Sequence, residues 1–451
     1  MAEALIAIGL FLVDPFDLSA QKARMIDRLI ARLSEWSYKS PAADKTAVVL
    51  IDQETLDKIR ADWPFSYGID VEMIRQLACA HAAAAFFDFT AANKYNLGHD
   101  SLQLIAAVRD SSSVRHCDDG SQPGKIPIFF GKTPKISSPA EDELDAGGHA
   151  LYIDTTAPES IYSVGFDEFP AQPLEIRDMT PAFGLARTIC GNADADSELN
   201  CAGIKQATND TRPLSLTWNA YTNDLQHAVR LTGGCRKPLP FDLKRIRNVI
   251  GYSIFGWWES ASIQRCPPIF TLSGGDLFPD FADIEQHGDR RPYLKGRIVF
   301  VGVDLSGLPD VVTSPIHGRI PGIYVHAMAF DNLVKFGDDY YSTPSDSDTY
   351  VFLAVYFLGM GLIGEFVSPA ASFWVRRLEK KPAGRSHLFG WRFHFAWTAY
   401  FAPFILWNAI LLGVVVMLRW PASTVLEMLS YGVFTTLAVK GAASIYSMKD
   451  A

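Results

Sequence analysis

The sequence predicts an α/β fold built around a largely parallel sheet. Three short runs of apolar and β-branched residues, 46–52, 86–89 and 297–303, have the composition of buried strands. Segments with helical spacing of apolar residues lie between or after these runs. Alternating strands and helices are typical of a parallel sheet that is covered by helices.

The elements follow one another along the chain with recognisable patterns. The run TAVVLID is apolar and ends in an aspartate, as expected of a buried strand that enters a loop. Residues from about 140 to 290 are rich in Pro, Gly and aromatic residues and predict a mixed, partly β-rich insertion. In chain order we predict strands at 46–52, 86–89, 126–131 and 297–303, and helices at 69–85, 101–109 and 324–335.

Composition and charge narrow the class of protein. The chain has 451 residues, 20% of them charged, with a net charge of −9. Its mean hydropathy of +0.07 is what a polar domain averaged with a short membrane domain would give. The negative charge and the lack of a basic patch with interleaved aromatics argue against nucleic-acid binding.

Three C-terminal segments are long and apolar enough to span a bilayer. Residues 349–367, 393–418 and 422–439 each reach the roughly 17–25 residues that a spanning helix needs. We therefore predict an anchor with a lead-in helix at 1–36, an exported domain at 37–345, and transmembrane helices within 346–451.

The charges that flank these segments predict their orientation. The loop 375–392 is basic and is expected in the cytoplasm, which places the large domain outside. The apolar segment 4–13 is too short to span fully. Either the true start lies upstream, or this segment is a short uncleaved anchor, which we favour. Arg24, Arg28 and Arg32 argue mildly against the orientation at this end.

Polar residues within the spans predict a second site. Glu365, His394 and Lys440 lie at similar depth by helical rise. Ionisable groups in membrane helices are costly and are usually paired or functional, although Lys440 and His394 can also reach the interface. We predict a polar cluster of these three residues, near glycines 359, 361 and 364 that allow close helix approach.

The cysteines predict disulfides in an exported domain. None of the six forms a C-x-x-C pair, so a zinc or thioredoxin site is disfavoured. Cys190 and Cys201 bracket a polar loop, and Cys235 and Cys266 flank another, so both pairs are predicted to be bonded. Six ordinary thiols are the alternative, and spacing alone does not fix connectivity.

Carboxylates follow several predicted strands and form the candidate ligand site. Asp52, Asp88 and Asp304 lie at or near strand ends, and Asp310 lies in the next loop. Ligands of open α/β sheets bind at the carboxyl edge of the strands, and converging carboxylates can hold a polar ligand or a cation. The alternative is that these residues cap loops and helices. The tentative ligand-binding residues are Asp52, Asp88, Asp304, Asp310, Thr313 and His317.

The two histidines near this loop do not predict an enzyme. His317 and His326 lack the spacing of a helical metal pair, and no nucleophile elbow is present. His326 is expected to pack at the start of the last helix of the domain. We expect no catalytic residues, no resident metal and no cofactor.

Several strings resemble one known family. VVLIDQETLDKI with WPF, then FFDF, and then LKGRIVFVGVDLSGLPDVVTSPIHGRIPGIYVHAMAFDNLV are similar to the type-two CHASE domain. The resemblance covers roughly 44–131 and 290–440. It implies an extracytoplasmic sensory domain of the kind associated with cyclases and with histidine or serine/threonine kinases. The family often has a basic residue after the Trp-Pro pair, where this chain has Phe65, Ser66 and Tyr67.

The resemblance favours a bacterial inner-membrane sensor or adaptor. Only twelve residues follow Val439, so we expect the output to lie on a separate protein partner. The expected partners also include the lipid bilayer, and a homo-oligomer is left open. A structural subunit that scaffolds an envelope complex is the main alternative, and an exported hydrolase is a third.

Overall fold

A computed structural model describes the fold of the protein. It describes residues 38, 44–91, 99–132, 138–152, 161–162, 180–191, 201, 203–204, 214–218, 225–226, 267–280, 284–285, 288–308, 310–314, 317–342 and scattered positions in 347–359 and 406–418. The chain divides into two compact units, Ala31–Tyr341 and a second that combines Met1–Ile30 with Ser342–Ala451.

A six-stranded parallel sheet forms the centre of the larger unit. The strand order is β4-β3-β2-β8-β1-β7, and all five pairings are parallel. Strand β8 thus lies between β1 and β2, although it comes last of the six in sequence. The strands are β1 Thr46–Ile51, β2 Ala84–Thr90, β3 Ile128–Lys132, β4 Ala150–Tyr152, β7 Thr271–Ser273 and β8 Ile298–Val303.

Two shorter pairings accompany the sheet. Strands β5 Ile161–Tyr162 and β6 Leu214–Ser215 pair antiparallel. Strands β9 Val311–Ser314 and β10 Gly318–Pro321 form an antiparallel hairpin directly after β8. We call residues 310–321 the hairpin segment.

Helices cover both faces of the sheet, because alternate residues of each strand point to opposite sides. In β1, Val48 and Leu50 enter one apolar core, and Val49 and Ile51 enter the other. The helices are α1 Gln53–Ile59, α2 Tyr67–Cys79, α3 His99–Arg109, α4 Pro139–Ala146, α5 Pro181–Gly191 and α6 Ile323–Phe336. Residues of α5 and α6 lie in the first core, and residues of α2, α3 and α4 in the second.

Helix α6 is buried on all sides. Every residue from Ile323 to Val334 is buried, including three polar ones. Its first turn approaches β8 closely at Gly302, where an added Cβ would overlap the Ile323 side chain. A glycine is therefore required there for helix and sheet to pack.

The structure confirms the predicted α/β class and corrects two details. Helix α2 ends at Cys79 instead of continuing to residue 85, because His81 adopts a left-handed conformation and Ala84–Phe87 pair with β8. Tertiary pairing thus overrides the high helix propensity of the alanine run. The predicted insertion is mixed but not β-rich where it is described, and its strands β4 and β7 are edges of the main sheet.

Two disulfides are present among the described residues. Cys190–Cys201 is confirmed, and Cys79 is bonded to Cys117, which the sequence analysis had not paired. Cys235 and Cys266 lie outside the described residues. The Cys79–Cys117 bond fastens the end of α2 to the loop that contains Cys117. Arg75 holds the same loop, because its guanidinium group donates to His116 O and to the Asp118 carboxylate.

We expect the double variant Cys79→Ser, Cys117→Ser to lose about 3 kcal/mol of unfolding free energy, because the bond closes a 38-residue separation in the unfolded chain. Urea denaturation of wild type and variant measures the difference. Both proteins are measured without reductant, because reduction would also break Cys190–Cys201. Equal midpoints for wild type and variant would contradict the prediction.

The second unit is described only at scattered positions. Within those positions no helix is both long and apolar enough to cross a bilayer. The predicted basic loop 375–392 and third span lie outside the described residues. Gly359 of the first predicted span packs against the Trp407 ring of the second, with no room for a Cβ. Small residues serve this purpose where helices approach closely.

Candidate functional site

Asp52 caps helix α1 at the carboxyl edge of the sheet. Its Oδ1 accepts hydrogen bonds from the Thr55 backbone N–H at 2.8 Å and from the Thr55 hydroxyl at 2.6 Å. The Ser273 hydroxyl donates to the same carboxylate at 2.9 Å. The capping alternative therefore describes Asp52 well, and it also fastens β7 to α1.

Asp88 and His326 form a buried pair on the α6 side of the sheet. Asp88 follows Phe86 on the same face of β2, and its Oδ1 lies 3.5 Å from His326 Nε2. Their side chains are only 6% and 5% exposed. The Phe86 ring contacts the imidazole edge-on, with centroids 5.7 Å apart. His326 thus packs in the first turn of α6, as predicted, and faces a carboxylate.

Asp310 completes this group from the base of the hairpin segment. Its carboxylate lies over Gly322, which precedes the first residue of α6, and an added Cβ there would collide with it. The Gly322 N–H donates to the Asp310 carbonyl at 3.2 Å. Burial and the nearby Asp88 charge raise the pKa of Asp310 to about 6, against an opposing effect of His326. We call Asp88, His326 and Asp310 the edge cluster.

Asp304 lies at the same edge, between Asp52 and α6. Its backbone N–H donates to Ile51 O at 2.9 Å. Burial, and then the neighbouring charge of Asp52, raise the pKa of the Asp304 carboxyl group. The Tyr324 hydroxyl of α6 hydrogen-bonds the Thr271 hydroxyl at 2.9 Å, which ties α6 to strand β7. The four predicted aspartates therefore do lie at one edge of the sheet.

Thr313 and His317 belong to the hairpin segment. Thr313 pairs with Arg319 across β9 and β10. The backbone N–H of His317 donates to Ser314 Oγ at 3.2 Å, and the His317 ring lies 6.3 Å from that of Trp218. These contacts place His317 against the buried indole at the turn of the hairpin.

The C-terminal half of α6 is held by a polar clamp. The Tyr38 hydroxyl donates to Asp331 Oδ2 at 2.6 Å, and Asn332 Nδ2 donates to Thr217 O at 2.9 Å. The Thr217 N–H donates back to Asn332 Oδ1 at 2.8 Å. The Lys335 ammonium lies 3.6 Å from the centre of the Tyr38 ring. We call Tyr38, Thr217, Asp331, Asn332 and Lys335 the clamp.

Neither the clamp nor the partner of His326 was predicted from the sequence. The available signal was the string IYVHAMAFDNLV, which is apolar around the whole helix except for His326, Asp331 and Asn332. Polar residues in a helix that is otherwise apolar on every side must find buried partners. Their partners lie far away in sequence, so the pairs themselves could not be read from it.

The side chains at this edge form hydrogen bonds and a close histidine–carboxylate pair. Within the part of the chain that the structure describes, no group of three His, Cys, Asp or Glu side chains could hold a metal ion. The predicted membrane cluster of Glu365, His394 and Lys440 lies outside the described residues.

A parallel α/β domain with a polar edge and disulfides has the architecture of an exported recognition domain. The family model of the CHASE2 domain matches residues 4–364, and the chain belongs to this family. CHASE2 domains are extracytoplasmic sensory domains, so the resemblance of the sequence is confirmed. The match includes the middle region, which the motif resemblance did not cover. No curated protein and no solved structure matches the chain.

Proposed function

We propose that the protein is a non-enzymatic, multi-pass sensor of the bacterial inner membrane. Its extracytoplasmic domain detects a signal at the edge cluster and passes it to a separate protein partner. The observation that carries this proposal is helix α6, which has the edge cluster at its first turn and the clamp at its last turns.

Helix α6 suits this role because it is buried and is followed closely in sequence by the first predicted span. It is buried along its length, so it moves as one body when either end is displaced. Its last residue, Phe336, precedes the first predicted span by only twelve residues. The clamp residue Tyr38 lies two residues after the end of the predicted lead-in helix.

Exposed apolar residues support the membrane part of the proposal. Val351, Val355 and Leu358 are exposed at helical spacing within the first predicted span. Leu406, Ile410, Val414 and Met417 repeat the pattern in the second. Apolar side chains on the outer face of a helix are expected where lipid surrounds it.

The orientation is tested by cysteine labelling of intact cells. We expect an impermeant maleimide to leave Ser386→Cys unlabelled until the membrane is opened, because the basic loop should be cytoplasmic. Glu285→Cys, exposed on the domain, is the matched control and should be labelled at once. Rapid labelling at position 386 in intact cells would reverse the orientation.

Transmission through the clamp is tested with Tyr38→Phe. The variant keeps the ring under Lys335 and removes only the hydroxyl that donates to Asp331. We expect several-fold weaker recovery of the partner after cross-linking in native membranes, with the domain still folded. Tyr293→Phe is the control outside the clamp. Equal partner recovery with all three proteins would favour the scaffold alternative.

A further inference from the structure

We infer that the signal received by this domain is the acidity of the extracytoplasmic compartment, bound as a proton at the Asp310 carboxylate beside the buried Asp88–His326 pair. This inference rests on the proposed function and names the input of the same site. Asp88 on β2 lies 3.5 Å from His326 on α6, and Asp310, at the base of the hairpin segment, lies over Gly322 at the start of α6 and interacts electrostatically with both.

The geometry makes the edge cluster respond to protons. Asp88 and His326 are almost fully buried and 3.5 Å apart, so a charge on either acts on a neighbouring group with little screening by water. Asp310 adds a second carboxylate, which repels Asp88 when both are ionised. The pKa of Asp310, raised to about 6, lies between that of an ordinary carboxyl group and neutral pH.

Other charged groups lie on the elements that pack near the cluster. Asp52 and Asp304 add negative charge along the same edge, and Tyr324 lies on the first turn of α6. Helix α5, which packs on α6, contributes Arg187, and the hairpin segment contributes His317 and Arg319. The charge of Asp88 opposes ionisation of Asp310, and the charge of His326 favours it.

The sign of the response follows from these contacts. While Asp310 holds its proton below about pH 6, its carboxyl group exerts no charge repulsion on Asp88. Above pH 6, Asp310 is ionised beside Asp88, and the repulsion acts between the hairpin base and the sheet. Because Asp310 lies on Gly322, the strain reaches the start of α6 directly. The hairpin is therefore held firmly in acid and is loosened at neutral and higher pH.

Hydrogen exchange of the full-length protein in nanodiscs tests this between pH 5 and pH 8. We expect hairpin amides, Val311–Ser314 and Gly318–Ile320, to lose roughly tenfold in protection with a midpoint near pH 6, as about 1.4 kcal/mol of repulsion would produce. Amides of β1 in the same sample correct for the intrinsic pH dependence of exchange. Asp310→Asn should abolish the transition.

Two further variants distinguish titration of the edge cluster from an effect of pH on the whole protein. His326→Gln removes the positive charge that lowers the pKa of Asp310, so the midpoint should move to higher pH. Glu285→Gln, at an exposed site, should behave as wild type. A flat wild-type profile, or a transition that persists unchanged in Asp310→Asn, would overturn the inference.

The outcomes also separate this inference from the proposed function. If the hairpin does not titrate but Tyr38→Phe still weakens partner recovery, the proton input is wrong and the transmission route stands. If the hairpin titrates as expected but partner recovery is equal at pH 5.5 and pH 8, proton binding is supported and the signalling role fails.

Discussion

Replacing Asp70 by asparagine is expected to stabilise the exported domain at pH 8 and to have little effect at pH 4. Asp70 lies in the first turn of α2, only 5% exposed. Among the described residues, nothing forms a hydrogen bond with its Oδ1. Burial without a compensating partner raises the pKa of Asp70 to about 8.

The pH dependence follows from proton linkage. The pKa in the fold lies above the unfolded value near 3.8, so Asp70 must bind a proton to fold at neutral pH. The contribution of protonated Asp70 to the free energy of unfolding is complete below about pH 4 and is lost as the pH rises through about 8. Within that window, each pH unit lowers the free energy of unfolding by at most about 1.4 kcal/mol. Because the asparagine amide must be buried in turn, we expect a net gain of roughly 1–3 kcal/mol at pH 8.

Chemical denaturation at pH 4, 6 and 8 measures this effect. Asp100→Asn is the matched control, since Asp100 occupies the first turn of α3 and is not fully buried. The control should show no gain that grows with pH. If Asp70→Asn were no more stable than wild type at pH 8, the ionised Asp70 carboxylate would have to find hydrogen-bond partners in the fold.

Replacing Asn332 by leucine is expected to destabilise the domain by about 3–5 kcal/mol. Its side chain is 1% exposed, donates to Thr217 O and Met328 O, and accepts from Thr217 N. Leucine has a similar volume but leaves the Thr217 N–H and C=O without their partner. Each buried polar group left in this state costs about 1–3 kcal/mol.

Thermal and urea unfolding of the purified protein measure the loss. Met328→Leu, a volume-conserving change on the same buried helix, is the control and should cost less than about 1.5 kcal/mol. If both variants lost the same small amount, water would be replacing the asparagine side chain, and the clamp would contribute little to stability.

Local composition was enough to predict most of the elements near the site. Strands β1 and β8 are continuous apolar, β-branched runs, and their bounds differ from the prediction by a residue at one end. Asp52 could be predicted at a strand end, and capping was already an alternative. These features depend on residues close together in the chain, which is why a sequence pattern can reveal them.

The arrangement of these elements could not be predicted in the same way. Nothing local indicates that β8 separates β1 from β2, or that Cys79 pairs with Cys117. The Asp88–His326 pair joins positions 238 residues apart. Such contacts depend on which side chains pack together on each face of the folded sheet. Residues so far apart in sequence leave no periodic pattern that would predict their pairing.

The central place of strand β8 also constrains how the domain can fold. Strands β1 and β2 are made early, yet each forms its pairing with β8 only after the chain has been synthesised through Val303. Until then, both strands present open edges that can pair with other chains. Closing loops of this length makes folding slow and leaves time for aggregation. We therefore expect a nascent chain of this protein to need protection by chaperones until β8 inserts between its two neighbours.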